Sequence, residues 1–467
     1  MTKSYKLEIN ILLILVLCYL FYGTGFYSDD FIEFTSLYNL KISSIYEFFH
    51  IDTSTHQVAI FSIFSSYFHR FWLLLFTDSY EYFFIPKVII SYVSIVLVYK
   101  FFRQFLSQHN ACFIAVLFVL YPLHDATNYW YSALKYTLVP AIVLYGYYLI
   151  NQDKSIRGFL VLIFGSFYGF SSPAYVLGLS TYFLINKEFK KFFIAMIPGL
   201  LYIIFYFTVT VTMSESKGRI ESGLSIMKLI KQYLLQVGTF VDTAIGPSLW
   251  LKIYYAITQL SLISGMIGIV LIVLFYSFYQ SKCEKMNYKL LISLIVVLLF
   301  GLGIFALTGF YPQLAFNLGN RVTIYGSLIL SFLIVMYLLK NKMLATFIVS
   351  IFIFTILGIS DHWKSWTQTQ VKIMENISKN SDLRILDKNK QLFVTYNQYS
   401  SFGKISHIEF FAEGISQTVF KLASGELYKV SPLNKRFYYK NNKKLKPIIL
   451  KKIKKELKIV EKQSGKK

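Results

Sequence analysis

The sequence predicts an all-α polytopic membrane protein, with about eleven transmembrane helices and a small C-terminal α+β module. Three observations lead to this class. Of the 467 residues, 55% are hydrophobic and the mean hydropathy is +0.52, which is too apolar for a soluble protein of this length. Several apolar runs reach about 18 residues, the length that crosses a bilayer core. Lysine and arginine cluster between these runs, as they do in cytoplasmic loops.

The charges beside the first apolar run, Ile9–Phe26, predict a cytoplasmic N-terminus, because Lys3 and Lys6 precede it. No cleavage site of a signal peptide follows, so we expect this run to remain as a helix. The loop after it, Tyr27–Gln57, then faces outward. The further predicted spans are Phe83–Phe102, Ala111–Tyr121, Tyr136–Ile150, two short helices broken at Ser171–Pro173, Phe192–Val211, Tyr254–Tyr279, Leu290–Leu307, Val322–Leu339 and Leu344–Ser360.

The run Val58–Phe76 predicts a helix at the outer interface rather than a further span. Its polar side chains recur at helical spacing and form one stripe. An arginine inside a lipid-exposed span costs about 2.5–3.5 kcal/mol. A helix that lies in the interface, with the stripe toward water or a cavity, avoids this cost. The stripe consists of Ser62, Ser65, Ser66, His69 and Arg70.

The chain is predicted to divide into a transmembrane part, residues 1–360, and an extramembrane module, residues 361–467, that we expect on the outer side of the membrane. Short alternating runs typical of strands occur in the module, at Gln391–Tyr396, His407–Phe411 and Thr418–Leu422. Its end, residues 435–467, carries 14 Lys or Arg and two Glu, within a net charge of +23. We interpret this basic end as a solvated segment near an anionic membrane surface. Nucleic acid is excluded as a partner because most of the chain lies in lipid.

Two adjacent acids, Asp29 and Asp30, follow the first apolar run and lie beside aromatic residues. A carboxylate held at the membrane surface can accept the proton of a sugar hydroxyl that attacks an anomeric carbon. Neighbouring acids raise each other's pKa, which favours proton acceptance by one of them. The alternative is that both are solvated loop acids.

Two polar clusters occur at predicted outer helix ends. His124 and Asp125 are followed by Trp130 and Lys135, a mixture that suits recognition of sugar or phosphate. A structural role for the histidine is the alternative.

Asn320 and Arg321 begin a later helix, and Arg70 and His69 lie in the interfacial helix. The planar guanidinium matches the oxygens of a phosphate or diphosphate, so we expect a phosphate here. The alternative is that the arginine side chain extends to the membrane–water interface and binds no phosphate.

Several soluble-enzyme motifs are missing from the sequence. It has no glycine-rich phosphate loop, no HExxH or paired CxxC motif and no GxSxG turn. The sequence therefore predicts no cofactor and supports no metal site, although a divalent metal stays compatible with it. A sugar donor should itself be membrane-borne.

Three motifs together resemble the GT-C superfamily of multi-span glycosyltransferases. They are the acidic pair in Tyr27–Phe31, the interfacial segment with Arg70, and Pro122-Leu123-His124-Asp125 followed by Trp130. They cover roughly residues 9–150, in the order found in that superfamily.

The resemblance implies inverting transfer on the outer face of the cytoplasmic membrane. The donor would be a polyprenyl-phosphate sugar, and the acceptor a lipid-linked glycan, a lipid or a protein. Asp30 would be the general base, with Asp29 as the alternative, and Arg321 and Arg70 would bind the donor phosphate.

Two other functions stay open at this point. A surface polysaccharide polymerase or ligase also joins lipid-linked sugars, but such proteins rely on basic residues in large outer loops. A transporter or flippase of lipid-linked glycans would show inverted repeats with broken helices. Ser171–Pro173 is a hint of such a break.

Overall fold

The computed structural model describes residues 3–32, 48–49, 60–76, 80–212, 225–279, 284–309, 311–338, 340–381, 383, 392–394, 405 and 415–432. Within these ranges the chain is helical, apart from connecting turns and one pair of short parallel strands. The predicted basic end, residues 435–467, lies outside the described residues.

The helices and strands are numbered here in chain order. The α-helices are α1 (Lys3–Phe21), α2 (Ile63–Leu75), α3 (Phe84–Phe102), α4 (Gln108–Val119), α5 (Ala126–Tyr129), α6 (Leu134–Asn151), α7 (Ser155–Tyr168), α8 (Ser172–Ile185), α9 (Phe189–Thr212), α10 (Ile226–Ile245), α11 (Pro247–Thr258), α12 (Leu262–Phe278), α13 (Tyr288–Thr308), α14 (Ile324–Leu333), α15 (Lys342–Lys379) and α16 (Ile415–Ser424). Short 3₁₀ segments are Tyr80–Phe83, Pro122–His124, Tyr131–Ala133 and Leu318–Thr323, and Ile334–Leu338 is a π-helical turn. The strands are β1 (Leu392–Val394) and β2 (Val430–Pro432).

Six helical segments in the described ranges are long and apolar enough to cross a membrane, and α11 with α12 makes a seventh if the pair is one span. The segments α7, α8 and the apolar part of α1 are shorter. These helices confirm the prediction of a multi-span helical membrane protein. The number of about eleven spans stays a prediction.

The break predicted at Ser171–Pro173 is present, since α7 ends at Tyr168 and α8 begins at Ser172. A second break was not expected. The prediction of one continuous span over Tyr254–Tyr279 is wrong, because the chain bends by 114° between α11 and α12.

At this second break, side chains accept hydrogen bonds from the backbone N–H groups at the start of α12. The Ser261 hydroxyl accepts from the N–H of Ser264 at 3.2 Å, and Asp361 of α15 accepts from the N–H of Ser261 at 2.8 Å. Capping of this kind stabilises a helix start where a hydrophobic run alone predicts continuity.

Helix α2 turns its polar stripe toward the protein. Ser65, His69 and Arg70 are buried, whereas Phe71 and Leu75 are about half exposed. With 13 residues, α2 is shorter than the ~20 residues that a crossing needs. The polar stripe therefore faces the region where the candidate site lies.

Helix α15 continues well beyond the predicted end of the last span, so the boundary predicted between residues 360 and 361 lies inside a helix. Its approach to α11 depends on Gly358, where a Cβ atom would lie 1.9 Å from the carbonyl oxygen of Ala256. Close contact there brings the next turn, with the fully buried Trp363, into the core. The separate α+β module over residues 361–467 stays a prediction.

In that C-terminal part, β1 and β2 pair in parallel and α16 packs against α15. The run Thr418–Leu422 belongs to α16, so its prediction as a strand is wrong. Ile415, Val419 and Phe420 share one buried face at helical spacing, which explains the outcome.

Candidate functional site

The loop that follows α1 is folded around the carboxylate of Asp30. Asp30 is 1% exposed, and its Oδ2 accepts from the N–H of Tyr27 at 3.0 Å. The N–H of Asp30 in turn donates to the carbonyl of Tyr27 at 3.2 Å. This reciprocal pair closes a tight turn directly beyond the first helix.

Lys87 of α3 holds the residues before this turn by hydrogen bonds. Its Nζ donates to the carbonyl oxygen of Gly25 at 2.7 Å and to the hydroxyl of Thr24 at 3.2 Å. The ammonium also lies 5.1 Å from the centroid of the Tyr27 ring. A fully buried lysine inside an apolar helix is costly unless it is paired in this way, so the contact fixes the loop against α3.

The same carboxylate joins this loop to the segment between α5 and α6. Asp30 accepts from the N–H groups of Tyr131 and Ser132 at 3.1 and 2.8 Å, and from the Ser132 hydroxyl at 2.5 Å. Asp30 therefore acts as the connector between two loops far apart in sequence.

Asp29 lies beside this connector but is exposed, with its carboxylate 3.3 Å from the Ser28 hydroxyl. The prediction named Asp30 as the general base and Asp29 as the alternative. A base must reach the hydroxyl of an incoming acceptor. The exposure of the two carboxylates favours Asp29 for that contact, and the assignment stays a prediction.

His69 of α2 packs on the same segment. Its ring centroid lies 4.5 Å from that of Tyr131, whose hydroxyl donates to the His69 carbonyl at 3.3 Å. Burial, and then the charge of Lys135, lower the pKa of His69 to about 3. The imidazole is therefore neutral, and Nδ1 has no hydrogen-bond partner among the described residues.

Arg321 lies in a cage of three aromatic rings. Its Cζ is 5.1 Å from the ring centroid of Trp130, 6.0 Å from that of Tyr136 and 5.4 Å from that of Tyr311. One Nη1–H bond goes to the carbonyl of Leu318 at 2.8 Å. In the described ranges no carboxylate forms an ion pair with this guanidinium. Such a cation, held by ring faces, keeps hydrogen-bond donors for an anion.

Two further groups border this cage. The Nε1–H of Trp130 is buried and has no acceptor in the described part of the chain. The Nζ of Lys135, at the start of α6, lies 5.3 Å from the centroid of the Phe170 ring. Residues 130–136 thus carry two walls of the Arg321 cage, one more cation and the backbone donors that hold Asp30.

His124 and Asp125, which were predicted at an outer helix end, are both buried. Asp125 forms an ion pair with Lys252 of α11 and accepts from Asn320 at 2.5 Å and from the Trp363 indole at 2.8 Å. An acid that is bound in this way ties α11, α15 and the Leu318–Thr323 turn together. We call Asp125, Lys252, Asn320 and Trp363 the ion-pair node.

His124 stands next to the node and shares a hydrogen bond of 2.8 Å between its Nδ1 and the Ser327 hydroxyl. Burial, and then the charge of Lys252, lower its pKa to about 3. His124 and Asp125 therefore both make internal contacts, and for His124 this agrees with the structural role that the sequence left open.

Arg70 also makes an internal contact, since its Nη1–H donates to the carbonyl of Phe48 at 2.7 Å. Of the predicted site residues, Asp30, His69 and Arg321 contact residues 130–136, the segment that contains Trp130 and Lys135, and Asp29 is the sequence neighbour of Asp30. His124, Asp125 and Asn320 lie instead in or beside the ion-pair node.

Sequence reasoning missed residues that organise the site. Tyr136 and Tyr311 complete the cage, and Ser132 holds Asp30. Lys87 and Lys252 carried a signal that went unused, because a lysine inside an apolar helix requires a partner. In the described ranges no group of three or more His, Cys, Asp or Glu residues could hold a metal ion.

Comparison with protein-family models, curated proteins and solved structures finds no match for this chain.

Proposed function

We propose that this protein is a membrane glycosyltransferase of the GT-C type. It transfers a sugar from a polyprenyl-phosphate donor to a lipid-linked glycan, a lipid or a protein, with inversion at the anomeric carbon. The proposal includes about eleven spans in the cytoplasmic membrane, a cytoplasmic N-terminus, and a site and C-terminal module on the outer face.

One observation carries this proposal. An exposed carboxylate, Asp29, precedes Asp30, which accepts hydrogen bonds from Tyr131 and Ser132, and Trp130 and Tyr136 of the same segment are two walls of the Arg321 cage. Transfer from a lipid phosphate needs a base for the acceptor and a cation for the leaving phosphate. Residues 130–136 thus contact both the neighbour of the proposed base and the proposed phosphate-binding cation.

In the proposed reaction, the acceptor hydroxyl oxygen attacks the anomeric carbon and its proton passes to Asp29. The bond between this carbon and the phosphate oxygen breaks, and its electron pair stays on the phosphate. Arg321, the Trp130 indole N–H and Lys135 stabilise the charge that develops there. The products are a glycoside of inverted configuration and polyprenyl phosphate.

The break between α11 and α12 favours a second candidate function, a flippase for lipid-linked glycans. Discontinuous helices are common where transporters bind their substrates. Here Lys252 of α11 is paired within the ion-pair node, which ties the broken helix to neighbouring elements. That arrangement suits a fixed scaffold better than an element that moves during transport.

The test is a reconstitution of the purified protein in lipid vesicles with a radiolabelled polyprenyl-phosphate sugar and a surface glycan acceptor. We expect label in the acceptor and release of polyprenyl phosphate. Movement of the donor between leaflets without transfer would favour the flippase instead.

A further inference from the structure

An apolar groove of about 640 Å³ lies between α8, α9, α10 and α13. Its walls include Ala174, Leu177, Ile203, Leu234, Phe300 and Leu307. The hydroxyl of Tyr233, a further wall residue, donates to the carbonyl of Leu299 at 3.3 Å and is thereby satisfied. The volume is typical of a ligand site, and the walls offer hydrocarbon contacts.

Helix α10 connects this groove to the Arg321 cage. Tyr233 and Leu234 line the groove, and two residues later Gln236 is buried and donates from Nε2 to the carbonyl of Tyr311 at 2.9 Å. The ring of Tyr311 is one wall of the cage around Arg321. The residue that anchors this wall therefore lies on the helix that borders the groove.

Two further elements that border the groove also contact the cage. On α13, Phe305 lies between the groove residues Ile304 and Leu307, and its ring centroid is 6.4 Å from that of Tyr311. Before α8, Phe170 lies three positions ahead of the groove residue Pro173 and packs on Tyr136 at 5.9 Å. Helices α10 and α13 and the segment before α8 thus contact two rings of the Arg321 cage, Tyr311 and Tyr136.

We infer that this groove holds the isoprenoid chain of the donor, while Arg321 binds its phosphate. The inference rests on the proposed function. Arg321, which has no ion pair in the described ranges, is linked through the Tyr311 ring to an apolar groove, and this combination matches a lipid with an anionic group and a long chain. Gln236 is a positioning residue, because it fixes the Tyr311 ring at the junction between chain and phosphate.

Two glycines allow a matched test. A Cβ atom on Gly303 would meet its nearest neighbour, the Tyr233 ring in the groove wall, at 3.9 Å, so a larger side chain grows into the groove. Gly238 of α10 is exposed, has nothing within 4 Å of such an atom and does not line the groove. Both positions are helical, so Gly→Leu favours the helix in each case.

The experiment measures binding of a long-chain polyprenyl phosphate and of a short-chain prenyl phosphate to the purified protein in nanodiscs. We expect Gly303→Leu to weaken long-chain binding by about tenfold, since it displaces methylene groups from apolar contact. Gly238→Leu should bind both lipids like the wild type. The short-chain phosphate should bind more weakly to the wild type and respond little to Gly303→Leu.

Unchanged long-chain binding by Gly303→Leu would overturn the inference, as would equal binding of the two lipids by the wild type. Displacement of the long-chain lipid by an equal concentration of dioleoyl phosphatidylglycerol would also overturn it, because the groove would then take ordinary phospholipids. Groove-dependent binding without any sugar transfer would refute the proposed enzyme alone and leave the isoprenoid site standing.

Discussion

Asp30 and Ser132 are joined by two hydrogen bonds, since Oδ1 of Asp30 accepts from the Ser132 N–H at 2.8 Å and from its hydroxyl at 2.5 Å. The two residues lie 102 positions apart in the chain. Because Asp30 is almost fully buried, this contact fixes the loop after the first helix to the segment that borders Arg321. The geometry of the candidate site depends on it.

Asp30→Asn should therefore reduce stability. The substitution places an amide N–H₂ where several donors converge, and a buried group without a suitable partner costs about 1–3 kcal/mol. We expect a lower Tm for the purified protein in detergent. Asp29→Asn is the matched control and should keep the Tm of the wild type, because that carboxylate is exposed. An Asp30→Asn variant as stable as the wild type would contradict the connector role.

Asp29→Asn should instead act on activity. An amide cannot accept the proton of the acceptor hydroxyl, and loss of a general base lowers rates by about 10²–10⁴-fold. We expect normal membrane insertion with sugar transfer in vesicles reduced by that factor. Asp29→Glu, which keeps a carboxylate, should recover part of the rate. Full transfer by the asparagine variant would remove Asp29 from the mechanism.

Arg321→Ala should weaken binding of the donor more than binding of the acceptor. A hydrogen bond between charged partners contributes about 1.5–3 kcal/mol, so the donor KM should rise roughly 10–100-fold. Arg321→Lys should recover little, because an ammonium lacks the planar fork that fits the three rings and a phosphate. Arg157→Ala, at an exposed position of α7, serves as the control. A donor KM that stays constant across these variants would exclude the phosphate role of Arg321.

The parts of this fold that were predictable from sequence are those set within one segment. Apolar length predicted helices such as α3, α6 and α13, and the Ser-Ser-Pro sequence predicted the break before α8. The break between α11 and α12 escaped prediction because Asp361, about 100 residues away, supplies one of its hydrogen bonds.

The candidate site was predictable only as a set of residue types. Asp30, Trp130 and Arg321 carry recognisable chemistry, and the structure places them around one segment. Their partners were not predictable, because Ser132, Tyr311 and Lys252 become neighbours only through packing between distant helices. Burial also changed roles, since Asp30 and Asp125 are bound by internal donors that a single sequence does not reveal.

Lys252→Met should destabilise the protein strongly. Removal of the lysine leaves Asp125 as a buried charge without its cation, which costs about 3–5 kcal/mol. Lys231→Met, at an exposed position of α10, removes the same charge and should change stability little. Unfolding in mixed detergent micelles measures both variants. Equal stability of the two would show that the ion-pair node contributes nothing measurable.

The pH dependence of stability should reveal two of the buried histidines, His69 and His124. Burial and the charge of Lys135 lower the pKa of His69 from 6.5 to about 3, and His124 behaves alike through burial and Lys252. Between these pH values the unfolded chain binds protons that the folded protein excludes. Stability therefore falls as the pH is lowered below 6.5, by about 1.4 kcal/mol per pH unit for each histidine, and neither group contributes above it.

His69→Phe should thus lower this slope by about 1.4 kcal/mol per pH unit between pH 6 and pH 4, a window that lies inside the two pKa values of about 3 and 6.5. The phenyl ring keeps the packing on Tyr131 but cannot take a proton. Denaturant unfolding at several pH values measures the slope, and His109→Phe in α4 serves as the control. A His69→Phe variant with the full slope of the wild type would mean that this ring is protonated equally in the folded and unfolded states, and hence that it is not buried against Tyr131.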